Sequence, residues 1–282
     1  MVVIPTKVIK RSETLTMPEF RKINEKEKIS AQRFADLILD IGTFLLASGA
    51  HCGRLSSNIG RLATTWEFDI NMSPTFNGLT VTVKDKNDPS NSVTCYKNSP
   101  PHNVHLAILT AVSHMSWKVQ EENLPISYVE REFTRIKAKP NYKDIVVAVA
   151  VGFSCGGLCL FSAGDEKNAL VAFVAAFIGY LVRVFFAKKK FNPMICISIA
   201  AFITTLIAGL GRLYGFGEHP EAAMATGVLY LIPGVPLINC VIDLIEGYLP
   251  SALNRALFGG FILLCIAAGM TLCITLLGIG NF

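Results

Sequence analysis

From residue 145 onward the apolar residues run in five long blocks, each separated by a short charged or polar stretch. Before that point they recur every three to four positions, then every second position, then every three to four again. A helix needs about 20 apolar residues to cross the hydrocarbon core of a bilayer. Five blocks meet that length: 145–164, 168–187, 191–211, 222–242 and 256–279. Arg183 stands near the end of the second, within reach of the interface by snorkelling. Ala148, Gly152 and Gly156, and then Ala172, Ala176 and Gly179–Tyr180, form small-residue stripes that allow close helix packing.

The N-terminal pattern predicts a separate α+β domain. Phe34, Leu37, Ile38, Ile41 and Leu45 share one face of a helix from Ser30 to Ser48, with Ser30 as N-cap and Gly49 as stop. A second helix runs over Cys52–Trp66, with Leu55, Ile59 and Leu62 aligned. The period then falls to two in Phe68–Met72, Leu79–Val83 and Ser92–Tyr96, which predicts three strands, with a polar turn at Asp88-Pro89. A helix from about Asn103 turns Val104, Ile108, Ala111, Met115 and Val119 inward. Another starts at a capping box of Ser127 and Glu130. The predicted fold is an α-helical polytopic membrane protein with five transmembrane helices behind a cytoplasmic α+β domain of order ααβββαα. Its predicted divisions are a mobile tail at 1–29, the α+β domain at 30–140 and the transmembrane domain at 141–282.

Charge sharpens that division and orients it. Residues 1–144 hold 19 Lys/Arg and 15 Asp/Glu, whereas 145–282 hold 7 and 6. Arg135, Lys137, Lys139, Lys143, Arg183, Lys188, Lys189, Lys190 and Arg255 fall on one side of the predicted layer, and Lys167 and Arg212 on the other. The cation-rich side is the cytoplasmic one. This predicts a plasma-membrane protein, multi-pass in the bacterial inner membrane, with its N-terminus cytoplasmic and its C-terminus outside. The net charge of +5 requires no nucleic-acid partner. The first 28 residues show no apolar h-region of a secretory leader. Six of the eight cysteines lie in the apolar half, and Cys52 and Cys95 make neither a zinc spacing nor a disulfide framework.

The fourth block carries the candidate chemistry. It reads Pro233-Gly234-Val235-Pro236-Leu237-Ile238-Asn239, followed by Asp243, Glu246, Ser251, Asn254 and Arg255. Two prolines and a glycine interrupt a helix. In lipid the freed backbone groups need protein or water partners. Broken helices at mid-membrane are where transporters bind their substrates. Pro233, Gly234, Pro236, Asn239 and Arg255 are therefore candidate substrate-binding residues, and Asp243 and Glu246 candidate proton-coupling groups. Asp243 and Glu246 also read as interfacial charges paired with Arg255. Arg212 and Arg255, at opposite ends of the layer, both suit a carboxylate ligand. In the N-terminal half, His51, Cys52, His102, His105 and His114 share no catalytic or metal-binding motif. No enzymatic activity, cofactor or metal is expected, although a membrane-anchored hydrolase and a metabolite sensor remain alternatives.

These residues resemble those of the threonine/serine exporter (ThrE) family, and more closely its stand-alone YjjP-type N-terminal half. The likeness covers about Ala31 to the C-terminus. It rests on Ser48-Gly49-Ala50 with Arg54, on the ααβββαα domain ahead of five spans, and on Pro233–Asn239 with Asp243, Gly247, Ser251 and Arg255. The chain departs at Ser56 and Ser57, where an acidic residue is expected after Arg54, and at Tyr248, where one often follows the glycine. The resemblance implies an oligomeric secondary exporter of small hydrophilic metabolites, threonine/serine or a dicarboxylate such as succinate. It implies drive by the proton-motive force and a companion small membrane subunit of the YjjB type.

Overall fold

The computed structural model describes residues 29–75, 77–140 and 142–279, so the expected tail at 1–29 lies outside the described residues except for Ile29, which packs against the core of the N-terminal domain. The chain forms two compact units that divide between Ala138 and Lys139.

The first unit has two helices, α1 (Ala31–Ala47) and α2 (Cys52–Thr65), then strands β1 (Phe68–Pro74), β2 (Gly78–Asp85) and β3 (Ser92–Asn98). Helices α3 (Leu106–Glu122) and α4 (Ile126–Lys137) follow. Ser30 caps α1, its hydroxyl accepting from the Arg33 N–H at 3.2 Å. The strands form an antiparallel meander in the order β1-β2-β3, with Ile70 opposite Val83 and Val81 opposite Cys95. The alternation in β2 sends Leu79, Val81 and Val83 into the core, while Thr82 meets Thr94 on the other face at 2.9 Å. Phe34, Ile38, Ile41 and Leu45 bury the inner stripe of α1 completely. Phe34 stacks on Phe68 with ring centroids 4.6 Å apart.

Two local expectations give way here. Ser127 and Glu130 form no capping box: α4 starts at Ile126 behind Pro125, with no side-chain cap. Glu130 is engaged instead by Arg33, at 2.9 Å and 3.1 Å. A bidentate guanidinium is a stronger partner for a carboxylate than one backbone N–H. Val104 precedes α3 and is exposed, so the helix starts at Leu106, later than its apolar pattern suggested.

Polar contacts join α1 to β3 and to α4. Asp40 accepts from Lys97 on β3 and from Lys137 on α4, the latter at 3.2 Å. Burial pushes the Asp40 carboxyl up, but hydrogen bonds from the two lysines, with their charges, outweigh it and hold it below its usual value. A depressed carboxylate stabilises the fold above its unfolded value, near pH 4, and that contribution is lost as pH falls through the folded value. The site is partly exposed, so the contribution is small, under about 1 kcal/mol. Asp40→Asn is expected to lower the melting temperature slightly at pH 7 and not at pH 2, read by thermal unfolding of the full chain in detergent. An equal loss at both pH values would contradict this.

The second unit holds α5 (Asp144–Phe161), α6 (Glu166–Lys188), α7 (Pro193–Leu213), α8 (Pro220–Gly227), a 3₁₀ turn (Leu229–Leu231), α9 (Gly234–Ile245) and α10 (Leu249–Leu277). Helices α5, α6, α7 and α10 are long and apolar enough to cross a membrane. The fourth expected span, 222–242, is not one helix: Pro220–Leu231 and Gly234–Ile245 meet at 66°. The number of spans is therefore four, or five if the bent pair crosses as one. The packing runs α5 on α6, α6 on α7, α7 on α10 and α10 on α9, while α8 sits against α5, α6 and α7. The two halves of the broken segment thus rest on different helices.

The last helix corrects a further expectation. It begins at Leu249, with Pro250 in its first turn, rather than at 256. Proline is tolerated there because a first-turn N–H has no intrahelical acceptor. Ser251, Asn254 and Arg255, which read as loop, are therefore helical, and Arg255 is not a loop cation.

Candidate functional site

The break begins with Pro233, which lies ahead of α9 with φ −78° and ψ 63°, so it ends the preceding turn. Gly234 follows, and Pro236 occupies the first turn of α9, where its missing N–H costs nothing. The two prolines thus have different tasks: one stops a helix and the other starts one.

Asn239 and Asp243 stand four residues apart on α9 and are both buried, Asp243 completely. Ser251 and Arg255 stand four apart on α10 and are also buried, at 3% and 7% exposure. A tight turn brings these two faces together. Gly247 takes φ +85°, its N–H donates to the Leu244 carbonyl at 3.2 Å, and the Tyr248 N–H donates to the Asp243 carbonyl at 2.7 Å. This is a Schellman closure, and the left-handed residue it needs is cheapest as glycine. Across the turn Arg255 Nε lies 2.9 Å from Asp243 Oδ2. Leu237 packs where a side chain at position 259 would otherwise stand, so Gly259 lets α9 approach α10.

The structure thus gathers Asn239, Asp243, Ser251 and Arg255 at the α9/α10 seam, and sets Pro233, Gly234 and Pro236 at the head of α9. Glu246 is the C-cap of α9 and is exposed, and its carboxylate lies within 4.8 Å of the Asp243 carboxylate. Arg212 is in the last turn of α7, near the loops that follow α5 and α7. A mostly apolar hollow of about 410 Å³ opens among those loops, lined by Ser162, His219, Glu221, Met224 and Met270. It lies toward the opposite end of the helices from the ion pair. In the first unit, His51 caps α2, its Nδ1 accepting from the Arg54 N–H at 3.3 Å. His102 and His114 are exposed.

A buried ion pair between two helices, beside an amide and a hydroxyl, can exchange partners. A carboxylate arriving at Arg255 competes with Asp243 for the same guanidinium, and a proton on Asp243 favours the newcomer. The ion pair was legible as Pro-Gly-Val-Pro followed by acidic and basic residues. Hydroxyl contacts within the apolar runs were not: Thr204 Oγ1 lies 3.2 Å from the Tyr230 hydroxyl. Next to it Thr205 is fully buried, and its hydroxyl finds no partner among the described residues. Thr205→Val keeps the shape and removes an unspent polar atom. It is expected to raise stability by about 1 kcal/mol, seen as a higher melting temperature in detergent, whereas a fall would show that the hydroxyl is used.

Comparison with known proteins places this arrangement. The ThrE family model, described as "Putative threonine/serine exporter", matches residues 36–277. A Klebsiella aerogenes protein named "Probable succinate transporter subunit YjjP" is 28% identical over 90% of this chain and 98% of its own length. The protein of the same name in Escherichia coli K12 is 30% identical over 86% of this chain and 94% of its own. The "Threonine/serine exporter" of Corynebacterium glutamicum is 22% identical over 86% of this chain but only 50% of its own length. No solved structure gives a significant match. With its apolar helices, the chain is a multi-pass membrane protein, and it belongs to the threonine/serine exporter (ThrE) family.

Proposed function

We propose that this chain is a subunit of a secondary exporter in the bacterial inner membrane, moving a small carboxylate-bearing metabolite through the α9/α10 seam under the proton-motive force. The single observation that carries this is the Asp243–Arg255 pair, at 2.9 Å and buried beside the broken helix. Buried charges within a membrane domain are costly and commonly mark a functional site. Protonating Asp243 releases the Arg255 guanidinium to a substrate carboxylate. Asn239 and the head of α9, at Pro233, Gly234 and Pro236, supply hydrogen-bonding groups to the same substrate. Proton loss returns Arg255 to Asp243 and expels the cargo, so a dicarboxylate leaves with one proton and a net negative charge, outward down the membrane potential. Glu246, exposed at the end of α9, lies on the proton's route to Asp243.

The relatives support the finer reading. Two of them are named as succinate transporter subunits, a word that implies another chain. The Corynebacterium glutamicum exporter matches this chain over half of its length, leaving room for a second membrane half. We infer a companion polytopic subunit of the YjjB type and an oligomeric assembly. The cation-rich loops favour a cytoplasmic N-terminus and an outer C-terminus. The domain at 30–140 then faces the cytoplasm, ahead of a transmembrane domain at 141–282.

The test is efflux of labelled serine, threonine and succinate from loaded cells that express the chain together with its companion. Asp243→Asn is expected to abolish efflux of the exported compound while the protein reaches the membrane in normal amount. Efflux equal to wild type would remove Asp243 from the mechanism.

A further inference from the structure

The two halves of the broken segment are joined by the 3₁₀ turn Leu229–Leu231, and only Ile232 and Pro233 separate that turn from α9. Whatever holds the turn therefore sets where α9 begins. Its central residue, Tyr230, reaches between α6 and α7. Its hydroxyl lies 3.2 Å from Thr204 Oγ1, and its ring meets that of Tyr180 edge-on, with centroids 6.3 Å apart. Gly179 makes the space: a Cβ there would lie 2.5 Å from the Tyr230 hydroxyl and closer still to Thr204 Oγ1. The three residues come from α6, α7 and the turn, and the hydroxyl pair sits in a notch shaped for it. Beyond the turn, α9 leans on α10.

We propose that Tyr230, held by Thr204 in the notch at Gly179, is a positioning residue of the transport site: it fixes the start of α9 and so the placement of Asn239 and Asp243 opposite Arg255. The inference rests on the reading that transport passes through the α9/α10 seam. A hydroxyl pair shielded from water is not exchanged for water when it breaks, so its loss frees the turn to shift. Because α9 is a short rigid rod, a shift at its head is carried to Asn239 and Asp243.

Cys240, on α9 next to Asn239, reports its position. In a chain whose other seven cysteines are replaced, the rate of Cys240 alkylation by a small maleimide is measured in membranes. The concentration dependence of efflux is measured for the compound that the wild type exports. Tyr230→Phe and Thr204→Val are each expected to change the alkylation rate several-fold. Each should raise the half-saturating substrate concentration several-fold, with a smaller change in maximal rate. The double variant should be no worse than either single one, because both remove the same contact. Thr204→Ser, which keeps the hydroxyl, should match the parent. Unchanged alkylation in both single variants, or effects that multiply in the double, would overturn the proposal. If Asp243→Asn exports normally, the seam is not the transport site, and the alkylation rates still decide whether Tyr230 places α9.

Discussion

Asp243→Ala is expected to lower stability by roughly 3–5 kcal/mol, because it leaves the Arg255 guanidinium buried without its carboxylate. The pair is nearly sealed, with Asp243 fully buried and Arg255 at 7% exposure, so water cannot replace the lost partner cheaply. The decisive comparison is the double variant Asp243→Ala with Arg255→Met. Replacing a whole buried pair by apolar side chains is commonly neutral or stabilising. The double variant should therefore regain most of the lost melting temperature in detergent, and it should still export nothing. Recovery of stability without recovery of export separates the two roles of the pair. If the double variant were as unstable as the single one, the ion pair would not be what Asp243 contributes. If it exported, the pair would be structural only.

The second large effect is expected at Gly269. A Cβ at this position would come closer to the Ser198 carbonyl oxygen than real atoms allow, and would also lie 3.0 Å from the Ala201 Cβ and 3.2 Å from the Phe202 nitrogen. Two of these three obstacles are backbone, so no rotamer change relieves them. The same seam carries a hydrogen bond from Ser198 Oγ to the Cys265 carbonyl at 3.1 Å. Without a hydrophobic driving force between helices in lipid, close packing and such bonds hold α7 to α10. Gly269→Ala should cost about 2–3 kcal/mol, read as a lower melting temperature in detergent. By contrast Gly260→Ala, on the same helix with open space around it, should be close to neutral. Equal behaviour of the two variants would show that α7 and α10 are not in close contact.

The long apolar runs made the membrane helices legible, because hydrocarbon thickness imposes a length that few soluble segments reach. The break at Pro233–Pro236 was legible for a similar reason: proline and glycine disrupt a helix whatever surrounds them. Asn239, Asp243 and Arg255 stood out because polar groups are rare in such company. Their arrangement was less accessible. The run from Glu246 to Arg255 looked like a loop, since its polar residues fit water as well as they fit a buried seam. The helix that opens at Leu249, directly after the Gly247 turn, is what carries Arg255 back against Asp243. The Ser127 box failed because Glu130 has a better partner ninety-seven residues away in Arg33, which no local pattern reveals. The Thr204–Tyr230 pair was hidden for the opposite reason: a hydroxyl in an apolar run looks like tolerated noise until its partner is placed beside it.

The most direct measurement is flux in vesicles that contain the purified chain and its companion, with and without an imposed pH gradient. Uptake or release of the labelled substrate should respond to the gradient in the wild type. In Asp243→Asn the gradient-dependent part should vanish, with the protein equally abundant and folded. A gradient response of full size in Asp243→Asn would contradict the account.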